Sequence, residues 1–268
     1  MSQSRRRQQH GTLYPLYRLT APLRPLPDAV IIGAMKCGTT SLNAWLRHHP
    51  QVLFPCRKEL HYFDQHPDRS VGWYRSHFPL RSHLFQPRQN FCAIEATPAY
   101  IFREEVPERM YRLLPQAKLI AILRDPVRRA ISHYDHRHRH GRELRPISEA
   151  LMASHDLDDQ GLKVPDNLYK RRGHYAEQLE RVLHFYPREQ LLVLRSEDLF
   201  SDPDGIYRQV LDYLGLDSSQ PLQDRRPRNV SRQKHEVPDE VIAHLKEHFR
   251  EPNVALGRLL PDFPIWES

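Results

Sequence analysis

The chain has 268 residues, and its 40 Lys and Arg against 33 Asp and Glu give a formal net charge of +7. That length accommodates one large α/β domain with a real core, and the charge favours anionic partners: a nucleotide, an acidic glycan, nucleic acid or a membrane surface. No run of about 18 apolar residues is present to span a membrane, and the cysteines, Cys37, Cys56 and Cys92, lack the spacing of a zinc site or a disulfide framework.

A reducing compartment is the simpler inference from those cysteines. The basic start, Arg5-Arg6-Arg7, is not followed by the apolar stretch of a signal peptide. A cytoplasmic protein is therefore expected. Residues 1–27 read as a basic tail, disordered or extended, because Pro15, Pro22, Pro25 and Pro27 preclude a helix through its second half. A single folded domain is expected over 28–268.

That domain opens on Ala29 to Ile32, a run apolar on both faces, which suits a central strand of a parallel sheet. Gly33-Ala34-Met35-Lys36-Cys37-Gly38-Thr39-Thr40 follows, then Leu42, Trp45 and Leu46 at helical spacing, with Pro50 ending the pattern. Strand, Gly-bounded loop and helix make an anion site, because the helix N-terminus offers unpaired N–H groups and the positive end of its dipole. The Gly33 to Gly38 spacing is that of the nucleotide phosphate loop, but Thr39 stands where that loop has its lysine, and Lys36 lies three residues earlier. A lysine so displaced reaches a different oxygen, which points to a phosphate ligand other than a triphosphate. Cys37 reads as a small buried thiol, since no base partner accompanies it.

Arg57 to Asp64 reads as a polar-aromatic loop and Gly72 to Phe78 as a short helix. Phe91 to Thr97 is a second strand stopped by Pro98, and Glu105 to Leu114 a helix stopped by Pro115. Lys118 to Leu123 is the clearest buried strand after the first. It runs into Arg124-Asp125-Pro126 and a helix from Val127 to about His138. Residues 140–170 are polar, with a short helix at Ile147 to Met152 and the remainder a candidate flap. A helix over Gly173 to Phe185, a strand over Leu191 to Leu194, a helix from Asp202-Pro203 to Leu214 capped by Gly215, and a last helix over Pro238 to Phe249 complete the pattern. Apolar strands alternating with helices define a three-layer α/β fold of the P-loop-like kind, a central parallel sheet flanked by helices. Ligands of such sheets bind at the carboxyl ends of the strands, which places Lys36 to Ser41, Glu95 to Thr97, Arg124 and Arg195 on one rim. Arg128 and Ser132, four apart on a helix, share a face.

Two stretches together carry a resemblance. Lys36-Cys37-Gly38-Thr39-Thr40-Ser41-Leu42 resembles the 5′-phosphosulfate loop of sulfotransferases, and Arg124-Asp125-Pro126 through Arg129, Ser132 and Tyr134 resembles their 3′-phosphate motif. Lys58-Glu59-Leu60-His61-Tyr62-Phe63-Asp64 and Glu95-Ala96-Thr97-Pro98-Ala99-Tyr100 look like segments of the heparan-sulfate-type and related bacterial carbohydrate branch. Arg172-Gly173 with Tyr175 and Glu197-Asp198-Leu199 fit its later half.

The resemblance covers roughly Asp28 to Leu216 and implies a sulfuryl transfer from 3′-phosphoadenosine 5′-phosphosulfate (PAPS) to an acceptor hydroxyl, first of all a sugar hydroxyl. It implies Glu59 as base, Lys36 on the leaving and equatorial oxygens, and donor contacts from Cys37, Gly38, Thr39, Thr40, Ser41, Arg124, Ser132 and Tyr175. Arg232 and Lys234 stand near the place of the family's late donor loop. Ala96 replaces a lysine common in the glycosaminoglycan enzymes. No metal is required, and Arg137 and Arg139 oppose one at His136 and His140. The competing readings are a P-loop kinase or phosphotransferase, marked by a magnesium requirement, a non-catalytic basic nucleic-acid-binding protein, marked by salt-sensitive binding, and a catalytically silent nucleotide binder.

Overall fold

The computed structural model describes residues 17–80, 91–153, 168–228 and 235–266. Its centre is a five-stranded, all-parallel sheet in the order β2-β3-β1-β4-β5, formed by β1 (Ala29–Gly33), β2 (Val52–Leu53), β3 (Cys92–Ala96), β4 (Lys118–Leu123) and β5 (Leu191–Arg195). All of β1 and β3 and all but Lys118 of β4 are buried, which is why these strands read as unbroken apolar runs. Ile31 and Ile32, each at most 1% exposed, contribute on the order of 1.5–3 kcal/mol apiece by leaving water.

Parallel neighbours need crossovers, and the helices supply them. They are α1 (Thr39–Leu46), α2 (Val71–Arg75), α3 (Val106–Leu113), α4 (Pro126–Arg139), α5 (Ile147–Met152), α6 (Tyr175–Leu183), α7 (Ser196–Ser201), α8 (Pro203–Leu214) and α9 (Asp239–Leu259). Two boundaries rest on local chemistry. The Asp125 carboxylate caps α4 by accepting the Val127 N–H at 2.9 Å, with Pro126 in the first turn. Gly215 ends α8 at φ 75°, a left-handed value that favours glycine. A second, smaller core joins α4, α5 and α9 through Ala130, Tyr134, Leu151, Leu245 and Phe249.

The packed chain starts before Asp28. Of the segment expected to be tail, residues 17–27 are described, and Arg24 is 5% exposed with its guanidinium donating to the Phe78 carbonyl. A buried cation with a carbonyl partner holds that stretch down despite its prolines. At the other end, α9 runs ten residues past the expected stop at Phe249, straight through Pro252. The flap expected within 140–170 falls largely on residues 154–167, outside the described residues.

The chain builds β2 and β3 on one side of β1, then crosses to place β4 on the other. The crevice at the carboxyl ends of β1 and β4 is thus the switch point where such sheets bind ligands.

Candidate functional site

A cleft of about 1360 Å³ opens at that switch point. Its walls are the loop after β1, the polar loop at 57–65, the start of α4 and the 225–228 stretch.

The loop after β1 is fixed from below. Gly38 takes φ 102°, and a Cβ there would lie 2.6 Å from the Leu199 side chain, so both conformation and space call for glycine. Lys36 is also left-handed, at φ 72°, an arrangement that costs a non-glycine residue of order 1–3 kcal/mol and needs its surroundings to hold it. Arg124 helps by donating to the Lys36 carbonyl at 3.4 Å. Lys36, Gly38, Thr39 and Thr40 line the cleft. Burial, then the charges of Arg139 and Arg124, pull the Lys36 ammonium down to about 8.

Three of the expected donor contacts sit deeper. Cys37 is fully buried, and burial pushes its thiol up to about 11, which leaves it unreactive at neutral pH. Ser41 is buried as well, and its Oγ accepts the Arg228 N–H at 2.9 Å. Tyr175 does not reach the cleft. It is 1% exposed at the start of α6, its hydroxyl donates to the Arg124 carbonyl at 2.9 Å, and it meets Cys37 Sγ at 3.8 Å. Its position under the strand end makes it a support for Arg124 rather than a ligand contact. Arg232 and Lys234 lie outside the described residues.

Arg124, Arg128 and Ser132 line the same cleft, so the end of β4 and one face of α4 meet it together. Of the rim expected from the strand ends, Glu95 is instead wholly buried, and Arg195 lies over the Trp266 ring at 5.8 Å.

The polar loop brings the candidate base. Glu59 and His61 take φ 60° and 53°, with fully buried Leu60 between them as the anchor. Both line the cleft, with Lys58 and Asp64. Lys58 Nζ donates to Thr40 Oγ1 at 2.9 Å and lies 3.5 Å from Glu59 Oε1, which ties the base loop to the donor loop. His61 Nδ1 meets Asp64 Oδ2 at 3.0 Å, and its Nε2 meets Glu59 Oε2 at 3.4 Å. Burial opposes charge on His61, but the hydrogen bonds to Asp64 and Glu59 outweigh it and raise the imidazole to about 9. His61 is therefore a cation at neutral pH and cannot take a proton. Burial alone would raise the Glu59 carboxyl. The His61 hydrogen bond and the Lys58 charge reverse that and hold it below the ordinary carboxylate value.

Sequence reasoning missed several cleft residues: Arg103, Arg142, His136 and Arg225. Nothing in the local sequence marks Arg103 or Arg142 as lining the cleft. Burial, with the Lys36 charge next, pulls His136 down to about 4. Among the described residues, no group of three His, Cys, Asp or Glu side chains is placed to hold a metal ion.

A Gly-bounded loop at the crevice of a five-stranded parallel sheet flanked by helices defines a P-loop-like α/β protein. The sulfotransferase domain model matches residues 26–249, and the chain belongs to that family, a family of enzymes. A heparan sulfate glucosamine 3-O-sulfotransferase 6 of Mus musculus is 36% identical over 195 residues, 72% of this chain and 53% of the relative. The chain thus spans about half the length of such curated relatives. A sulfotransferase structure from Alicyclobacillus acidocaldarius is similar at 28% identity and a TM-score of 0.73, over 90% of this chain and 98% of that one. The fold is shared with mouse sulfotransferase SULT7A1 complexed with PAP, at 13% identity, a TM-score of 0.53, and coverage of 92% and 94%.

Proposed function

We propose that this protein transfers a sulfuryl group from PAPS to an acceptor hydroxyl, with a carbohydrate as the acceptor class. The observation that carries the reading is that Lys36, Gly38, Thr39 and Thr40 line one cleft together with Arg124 and Ser132, which supports two phosphate grips. A donor phosphorylated at both ends of its ribose needs two grips, and a triphosphate site with a conventionally placed lysine needs one. In this reading the N–H groups from Gly38 to Thr40 surround the 5′-phosphate, and Arg124 and Ser132 hold the 3′-phosphate and set the donor's register, while the Ser41 N–H is spent on the Gly38 carbonyl at 2.9 Å.

The chemistry is an in-line displacement. A bond forms from the acceptor oxygen to sulfur as the bond from sulfur to the 5′-phosphate oxygen breaks, leaving 3′-phosphoadenosine 5′-phosphate (PAP). Charge develops on the leaving and equatorial oxygens, where Lys36 acts. Glu59 receives the acceptor's proton. His61 and Lys58 keep the carboxylate ionised and aimed, at the cost of some basicity. That suffices, because the hydroxyl proton becomes acidic only as the new bond to sulfur forms.

A sugar acceptor is supported by the similarity to the heparan sulfate 3-O-sulfotransferase and by the excess of arginine and lysine over carboxylates in the cleft wall. Ala96, 2% exposed at the end of β3, supplies no charge of its own there. A cytoplasmic setting belongs to the same proposal, on the three free cysteines of the described chain.

Calorimetric titration with PAP, without magnesium and with ATP as control, tests the donor. Tight PAP binding that weakens about 10- to 100-fold in Arg124→Ala, as loss of a charge-assisted hydrogen bond should produce, supports it. Preference for magnesium-ATP would replace it with phosphoryl transfer.

A further inference from the structure

The loop bearing Glu59 and His61 has no regular secondary structure to hold it, yet two of its residues take left-handed backbone. What it hangs from is a hydroxyl. Tyr100 Oη accepts the Tyr62 N–H at 2.9 Å and the Phe63 N–H at 3.4 Å. A phenol has one proton, and Tyr100 gives it to Glu95 Oε1 at 2.9 Å. Donation to Glu95 is what leaves the Tyr100 lone pairs free for the loop.

Glu95 is 0% exposed, the end of a buried relay rather than a wall of the cleft. Its other partners are Thr97 Oγ1, which donates at 2.7 Å, and the Tyr74 hydroxyl. A buried carboxyl so surrounded is costly unless every oxygen is used, and here hydroxyls use both. The aromatic rings lock the same geometry: Tyr62 stacks on Tyr74 at 4.2 Å, and Phe63 meets Tyr100 edge-on at 5.6 Å.

We propose that Glu95 and Tyr100 are positioning residues for the reaction, orienting one hydroxyl that suspends the backbone after His61 and so sets the Glu59–His61–Asp64 arrangement. This rests on the reading of Glu59 as the base. Neither residue touches the substrate. Their effect is transmitted through the peptide N–H groups of Tyr62 and Phe63.

The test is a histidine NMR titration of the full chain, with the His61 signal assigned by its loss in His61→Gln. In the unsubstituted protein His61 titrates near 9, because Asp64 and Glu59 both face it. Tyr100→Phe keeps the ring and removes the suspension. The expected result is a fall in His61 titration of at least one pH unit, with PAP affinity unchanged within about twofold. Tyr74→Phe, which takes a donor from Glu95 but not the link to the loop, is expected to leave His61 in place. A folded Tyr100→Phe whose His61 titrates as before overturns the proposal, and so does an equal fall in Tyr74→Phe, which would mean general loosening of the core. Should Tyr100→Phe not fold, Glu95→Leu, which removes the acceptor of the Tyr100 proton, is read in the same way. The base reading fails separately: an unchanged transfer rate in Glu59→Gln removes the catalytic role and leaves the His61 result standing.

Discussion

Lys36→Ala is expected to lower turnover about 10²- to 10³-fold, the usual loss when one preorganised donor to a developing anion is removed. The size follows from placement. Lys36 lies on the loop after the central strand and lines the cleft with Arg124 and Ser132. Burial removes the water that would otherwise screen its charge. A donor phosphosulfate there would find a cation whose attraction grows as the leaving oxygen gains charge, so the loss should fall on kcat more than on PAP affinity. The titration near 8 adds a pH signature. Only the protonated ammonium serves, so PAP affinity and kcat/KM, which report the free protein, fall as pH rises through about 8, and Lys36→Ala removes that step. Steady-state kinetics and calorimetry at pH 7 and pH 9 on both proteins check this. A rate equal to that of the unsubstituted chain would sink the role.

Glu59→Gln is expected to cost about 10²- to 10⁴-fold in kcat, the range for a positioned general base, with PAP affinity and melting temperature little changed. The substitution is nearly isosteric and leaves Lys58 with its bond to Thr40, so the donor loop keeps its support. The Glu59 carboxyl lies below its ordinary value, so the basic form is complete throughout neutral pH. The activity of the unsubstituted protein should therefore rise only on the acid side and stay flat until Lys36 loses its proton. Steady-state kinetics with a heparan-type oligosaccharide, alongside transfer to water where no acceptor is supplied, measure the loss. If the rate survives, protonated His61 is no substitute, and proton removal is not part of the slow step.

What was legible in the sequence was what local pattern controls. β1, β3 and β4 are buried on both faces, and continuous apolar runs declare that. Lys36 and Arg124, which both line the cleft, were legible because Arg124 follows such a run directly and Lys36 lies in the Gly-bounded loop just after one. The misses have other causes. Ser196–Ser201 begins where β5 ends, with no linker to mark a change of period, and it is only six residues long. Pro252 reads as a helix stop, but Leu256 and Leu260 are 1% and 4% exposed, and their burial carries α9 past the proline. Tyr175 stood in a motif, and motif position alone does not say whether a side chain faces ligand or core. The Glu95 network joins residues up to 38 positions apart, which no spacing rule can foretell.

The far end of α9 bears on where this domain may be cut. The family match ends at 249, but the chain beyond it supplies Leu256, Leu260 and Trp266, the last 7% exposed. The Trp266 ring lies 6.2 Å from that of Tyr175, whose hydroxyl holds the Arg124 carbonyl. Trimming at 249 deletes a wedge from under the donor floor. Losing one buried tryptophan costs about 3–5 kcal/mol, a large part of the roughly 5–15 kcal/mol that keeps a domain folded. Polypeptides trimmed to the homology boundary should aggregate or bind PAP poorly, and protease-resistant fragments should end beyond Trp266.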